Sequence, residues 1–235
     1  LLVGIQEFSN ITRNSIGAKQ NTIEVIEVQR LYQAINKLGD DVWEDFTSGV
    51  FDLEIKQSML GETVLNENAQ RIAKILKTAQ DNWRGRLNDL GANIGELRDW
   101  ITRTIHNTEK MANASKGSKL VSDNRIAWRE FIKPKLDLQR TFIGVTDPKK
   151  IDEILDGIYD SLMSGDHLKH GGTNSIYGTR NVTNRLNAAR VLHFKDATAR
   201  HEYDVEFGEP SLKESILGVL SNSARNIALM QELGT

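Results

Sequence analysis

Apolar residues recur at three- and four-residue intervals along almost the whole chain, and only three prolines, Pro134, Pro148 and Pro210, interrupt the helices that this spacing specifies. Side chains three or four positions apart share one face of an α-helix, so such a pattern builds apolar stripes that must be covered. Leu, Ile, Ala, Glu, Lys and Arg are plentiful, and all but Ile are strong helix formers. The fold expected is all-α: an elongated helical bundle with long helices and one glycine-rich loop.

The stripes and their punctuation place the elements. Residues 22–38 align Ile23, Ile26, Val28, Leu31, Ile35 and Leu38, with Gly39 where a helix would close. Trp43, Phe46 and Phe51 follow in what reads as a short irregular stretch. A long amphipathic helix is expected over residues 62–90, through Val64, Leu65, Ile72, Ile75, Leu76, Trp83 and Leu87, closed by Gly91. Small polar residues at 112–117 mark a hinge or boundary. Two regions follow from it: an N-terminal helical region with the long helix, 1–116, and a C-terminal helical domain, 117–235.

In the second region Asp123 is placed to cap a helix carrying Ile126, Trp128, Phe131, Ile132 and Leu136, which Pro134 must kink or split. Asp147 before Pro148 starts another, because proline at the first helical position loses no needed hydrogen bond. Residues 164–179 hold Gly165, Gly171, Gly172 and Gly178 among serine, asparagine and threonine, the composition of a long loop. Asp196 is a cap for a short helix ending at Gly208, and Ser211 with Glu214 spells a capping box. The last helix is apolar on nearly every side. Leu212, Ile216, Leu217, Leu220, Ile227 and Met230 are its expected packing and interface residues.

Bulk properties exclude several classes. The chain has no cysteine, hence no disulfide framework and no thiolate nucleophile or metal ligand. Thirty Lys and Arg face thirty-two Asp and Glu, a formal net charge of −2, so contact with double-stranded DNA would need a local patch. Lys169, Arg180, Arg185, Arg190, Lys195 and Arg200 make residues 167–200 locally basic and are the candidates for it. No run approaches the length of a transmembrane helix, and a soluble fragment is expected. The opening Leu1 and Leu2 are followed by no signal-peptide pattern, and the chain reads as a processed or partial one made in the cytoplasm.

The motifs that tempt an enzymatic reading have plainer explanations. His167 and His170, with His193 and His201 further on, lack a third ligand at metal-binding spacing. The glycine-rich loop carries no GxxxxGK[ST] or GxGxxG string. Asp40 with Asp41, Asp152 with Glu153 and Glu206 with Glu209 cannot be placed across a cleft by spacing alone, and Asp152 and Glu153 suit the first turn of the helix opened by Pro148. Trp43 and Trp100 read as helix contacts before sugar platforms. No catalytic residue, cofactor or metal is therefore assigned, and the chain is not expected to be an enzyme.

The final third carries a more specific signal. Arg190 to Asp196, Tyr203, Phe207 with Gly208, Ser211 with Leu212, Ile216 to Gly218, Ser223 to Met230 and Leu233 with Gly234 together resemble a segment of large phage and prophage proteins, described as internal virion, DNA-ejection or polyvalent proteins. The resemblance extends more loosely through Arg86 to Asn88, Gly91 to Gly95, Trp128 to Phe131 and Ile151 to Gly165. It implies scaffolding helices beside enzymatic modules, with no catalytic residue here. It also implies a place inside the virion and contact with other virion proteins or further copies of the chain. His193 and Arg225 are expected to close buried polar networks. The function expected is a structural and assembly module of an ejection protein, its contact made by an exposed apolar face of the last helix. The alternatives are a helical domain accessory to a peptidoglycan hydrolase, polymerase or anti-restriction module in a longer chain, or a DNA-contacting module.

Overall fold

A computed structural model describes residues 15–92, 94–95, 106–117, 121–164, 192–209 and 211–234. In chain order the helices are α1 (Ile16–Asn36), α2 (Asp40–Ser48), α3 (Asp52–Met59), α4 (Glu67–Asp89), α5 (Thr108–Met111), α6 (Asn124–Ile132), α7 (Leu138–Thr141), α8 (Pro148–Ser164), α9 (Ala197–Phe207) and α10 (Leu212–Leu233), with a 3-10 turn at Lys133–Lys135 after α6. Among the described residues there is no strand, only an isolated antiparallel bridge between Leu136 and Phe194. The fold is all-α.

Local signals account for most helix ends. Ser15, Asn66, Asp123, Asp196 and Ser211 each accept a backbone N–H of the first turn that follows, satisfying donors that have no partner inside the helix. Asp147 does the same at Lys149 N ahead of Pro148. Pro134 ends α6 at Ile132 and converts the next turn to 3-10 geometry. Gly91, at φ +94°, closes α4 while Ala92 N–H donates to the Leu87 carbonyl.

Four expectations about elements change, the first being that α1 runs from Ile16, capped by Ser15, to Asn36 and not over 22–38. The long helix begins at Glu67 and not near Glu62, because Asn66 caps it; Leu65 lies ahead of the helix and is 94% exposed. The stretch around Trp43, Phe46 and Phe51 is two short helices, α2 and α3, which bury Val42, Phe46, Ile55 and Met59. Residues 112–117 are not a boundary. They form a turn held by Asn124, whose side chain accepts from Ser115 N (2.9 Å) and Ser115 Oγ (2.8 Å) and donates to the Ala112 carbonyl (2.6 Å).

The chain forms two compact units, and neither is the contiguous block 1–116 or 117–235. The first holds α1 to α4 and, from the far end of the chain, α10. In it α1 and α10 run antiparallel, with Lys19 paired to Glu232 near one end and Ser221 Oγ donating to Glu24 (3.1 Å) farther along. Ile35, Phe46, Ile55, Ile72, Leu76 and Ile216 lie in its main core, and Ile16, Ile23, Leu87, Ala224, Ile227 and Met230 in a second cluster. The C-terminal helix joins this unit because the apolar faces of α1 and α4 need its cover, a pairing that no local signal announces.

The second unit holds α5 to α9 around Trp128, Ile132, Leu155, Tyr159, Tyr203 and Phe207. Residues 192–195 are stitched to residues 135–137 by Asp137 N–H to the His193 carbonyl (2.8 Å) and Lys195 N–H to the Lys135 carbonyl (3.0 Å). Arg125, Arg129 and Lys133, four apart, meet Asp160, Asp156 and Asp152, four apart in the opposite sense on α8. A helical face repeats nearly every four residues, so this register makes a ladder of three opposed charges. Neither Asp152 nor Glu153 lies in the first turn of α8, where their place after Pro148 had put them, and Asp152 instead pairs with Lys133 at 2.6 Å.

Candidate functional site

The residues singled out on the last helix are mostly inward. Leu212, Ile216 and Leu220 belong to the main core of the first unit, Ile227 and Met230 to its second cluster, and Leu217 is half-buried. Their apolar surface is covered by the chain's own helices, so α10 does not present the exposed contact face that its composition implied. Arg225 points to solvent and closes no buried network, whereas His193 is half-buried with its backbone bonded to Asp137 and Thr141 Oγ1.

Of the six candidate DNA contacts, two, Lys195 and Arg200, lie among the described residues. Lys169, Arg180, Arg185 and Arg190 lie outside the described residues, as do His167 and His170. Lys195 is exposed, but Arg200 is 5% exposed and its Nε donates to both carboxylate oxygens of Asp204 at 3.0 Å. A guanidinium buried against its own carboxylate has no charge to offer a phosphate. Among the described residues, no group of three His, Asp or Glu side chains is arranged to hold a metal ion, and no helix is long and apolar enough to cross a membrane.

Two of the polar nodes in the cores are built around a tryptophan indole. In the second unit Tyr203 Oη accepts from Trp128 Nε1 (3.2 Å) and lies 2.8 Å from His106 Nδ1. The phenol is donor to His106 when Nδ1 is unprotonated and acceptor when Nδ1 carries the proton, and either tautomer keeps the bond. Burial pushes the Tyr203 phenol far above its ordinary range, so it stays neutral. Phe194 and Phe207 flank it with ring centroids at 5.3 and 5.9 Å.

In the first unit the node is Glu27, on the core face of α1 between Ile23 and Leu31. Its Oε1 accepts from Arg30 and Arg86 at 2.8 Å each, and its Oε2 from Trp83 Nε1 at 3.2 Å. Two guanidiniums and an indole satisfy this nearly buried carboxylate, holding α1 against α4.

Beside Glu27, an open groove of about 440 Å³ runs between α1 and α4. Its floor is apolar, with Leu31 and Ala34 from α1, Leu38 from the turn that follows α1, and Ile75 and Ala79 from α4. Its rim carries Arg30, Arg71 and Lys74. A smaller hollow of about 260 Å³, lined by Ile23, Ile26 and Arg86, shares Glu27 and Arg30 and continues the depression along α1. Val25 (64% exposed) and Tyr32 (42%), seven apart, leave another apolar strip of α1 in solvent.

None of the groove residues was among those singled out as candidate sites from the sequence. The available signal was Glu27 itself, a carboxylate on an apolar stripe, which must find donors when its helix packs. Comparison with family models, curated proteins and solved structures returns no match.

Proposed function

We propose that this chain is a structural and assembly module of a phage internal virion or ejection protein, working by helix-to-helix contact with other proteins of the particle and without chemistry of its own. The observation that carries the assembly part is the groove of the first unit, whose floor of Leu31, Ala34, Leu38, Ile75 and Ala79 lies open between two helices. An apolar valley between two helices with charged side chains at its edge is the form in which amphipathic helices are bound. Three of the charged clusters are engaged in pairs within the chain: Glu27 with Arg30, Arg86 and Trp83, Arg200 with Asp204, and the α6–α8 charge ladder. Groups held in such pairs serve packing. The virion part rests on the resemblance of Arg190 to Asp196 and of the α10 sequence.

The test is mass spectrometry of purified particles from a phage that encodes the chain, before and after genome release. The module is expected at a fixed copy number in full particles and depleted from emptied ones. Its absence from full particles overturns the proposal.

A further inference from the structure

We infer that the α1–α4 groove is a docking site for one acidic amphipathic helix of a partner protein, an inference that rests on the assembly reading above and names its contact. The floor presents Leu31, Ala34 and Leu38 at three- and four-residue spacing on one wall and Ile75 and Ala79 four apart on the other. Apart from Leu38, just past the end of α1, both walls are helices, so the depression between them is the kind of valley into which a third helix lays an apolar stripe. The helical parts of the walls, residues 30–36 and 71–82, extend about 9 and 17 Å at 1.5 Å per residue, room for about two turns of a third helix. Ala34 and Ala79 keep the valley open, because a larger side chain at either place would stand in it.

Charge selects the occupant. Arg71 and Lys74 edge the floor, whereas Glu27, the acid of the lining, is already paired with Arg30 and Arg86. Arg71 reaches Glu67 only at 3.5 Å with both side chains largely exposed, and Lys74 is exposed. Exposed pairs of that kind exchange readily for a better-placed carboxylate. A helix with apolar residues at i, i+3 or i+4, and i+7 and carboxylates on both flanks matches floor and rim together. A nucleic-acid backbone would meet the cations but leave the apolar floor wet. A small apolar ligand would make no use of the rim.

The experiment uses the whole chain and three synthetic peptides, read by fluorescence anisotropy. Two carry the same leucine stripe, one flanked by glutamates and the other by lysines; the third keeps the glutamates but has serine in place of leucine. The glutamate–leucine peptide is expected to bind about tenfold or more tightly than either of the others, with affinity falling as salt rises. Arg71→Glu with Lys74→Glu, two exposed changes that leave the core intact, should reverse the preference between the two leucine peptides. Equal binding of these two, undiminished binding of the serine peptide, or a preference unmoved by the rim reversal overturns the inference. Particle mass spectrometry is indifferent to those results, so failure of the docking site and failure of the assembly reading stay separable.

Discussion

The carboxylate of Asp52 accepts the backbone N–H of Leu212 at 2.9 Å, joining residues 160 positions apart. Asp52 opens α3 and is 5% exposed, and Leu212 is the first residue of α10. The far end of the chain thus enters the first unit with two acceptors at one helix start, the Ser211 hydroxyl and the Asp52 carboxylate. An anion at a helix N-terminus is favoured by orphan N–H groups and by the dipole. Asp52→Ala should lower stability by about 1–3 kcal/mol, since a buried donor is left short of its partner. Asp52→Asn, which keeps an acceptor oxygen, should cost less, and Ser211→Ala about 1 kcal/mol. Urea unfolding ranks the three; an Asp52→Ala variant as stable as the parent would refute the link.

The α6–α8 ladder grades from sheltered to exposed. Arg129 and Asp156 are 16% and 26% exposed in their side chains and meet at 2.9 Å, while Arg125 and Asp160 are 41% and 64% exposed and meet at 3.5 Å. A double-mutant cycle at Arg129 and Asp156 should return a coupling of about 0.5–2 kcal/mol, and one at Arg125 and Asp160 less than about 0.5 kcal/mol. Added salt should weaken the outer pair more. Equal couplings at both positions would mean that burial does not set the strength of this seam.

What could be read from the sequence was what neighbours in the chain decide. The caps at Asp123, Asp196 and Ser211, the split at Pro134, the start at Pro148 and the closure at Gly91 each depend on a few adjacent residues, and each stands where its residues place it. The errors concern partners far along the chain. Residues 112–117 look like a hinge until Asn124 is seen to hold them, and Asp152 looks like a dipole ligand until Lys133 is brought to it. Likewise α10 has the composition of an interface, and only the return of the chain to α1 shows where that surface is spent. The groove was invisible for the same reason: its two walls, residues 30–38 and 71–82, come from separate parts of the chain, and its rim charges look locally like any solvated face.

The Tyr203 node predicts a dependence on alkaline pH. The folded-state pKa of the phenol is raised, chiefly by burial, above an unfolded value near 10. Neutral Tyr203 therefore contributes fully below about pH 10, and the contribution declines above it, because the unfolded chain loses the proton while the native state keeps it. Tyr203→Phe removes this slope. It also removes the acceptor of Trp128 and the hydroxyl facing His106, so at pH 8 it should cost about 1–3 kcal/mol. Urea unfolding of parent and variant at pH 8 and at pH 10.5 separates the two effects: the gap between them should narrow at the higher pH. A constant gap would mean that the phenol ionises equally in both states.

The last helix offers the sharpest contrast between position and composition. Ile227 and Leu217 are both aliphatic, both on α10, and both expected from the sequence to be packing anchors. Ile227 has no exposed surface and sits with Ile23, Leu87 and Ala228, whereas Leu217 is half-buried on the helix flank. A carboxylate at Ile227 would be desolvated among apolar side chains with no donor in reach, at a cost of several kcal/mol, comparable with the whole stability of a unit this size. At Leu217 the same carboxylate can lean into water and forfeits only part of one leucine's burial, about 1 kcal/mol. Ile227→Asp should therefore abolish the cooperative unfolding of the first unit, and Leu217→Asp should leave it intact with a lower midpoint. Circular dichroism followed through a urea titration reads both. Equal losses would place Leu217 in a contact that the chain's own helices do not supply, and a tolerated Ile227→Asp would undo the packing of α10 against α1.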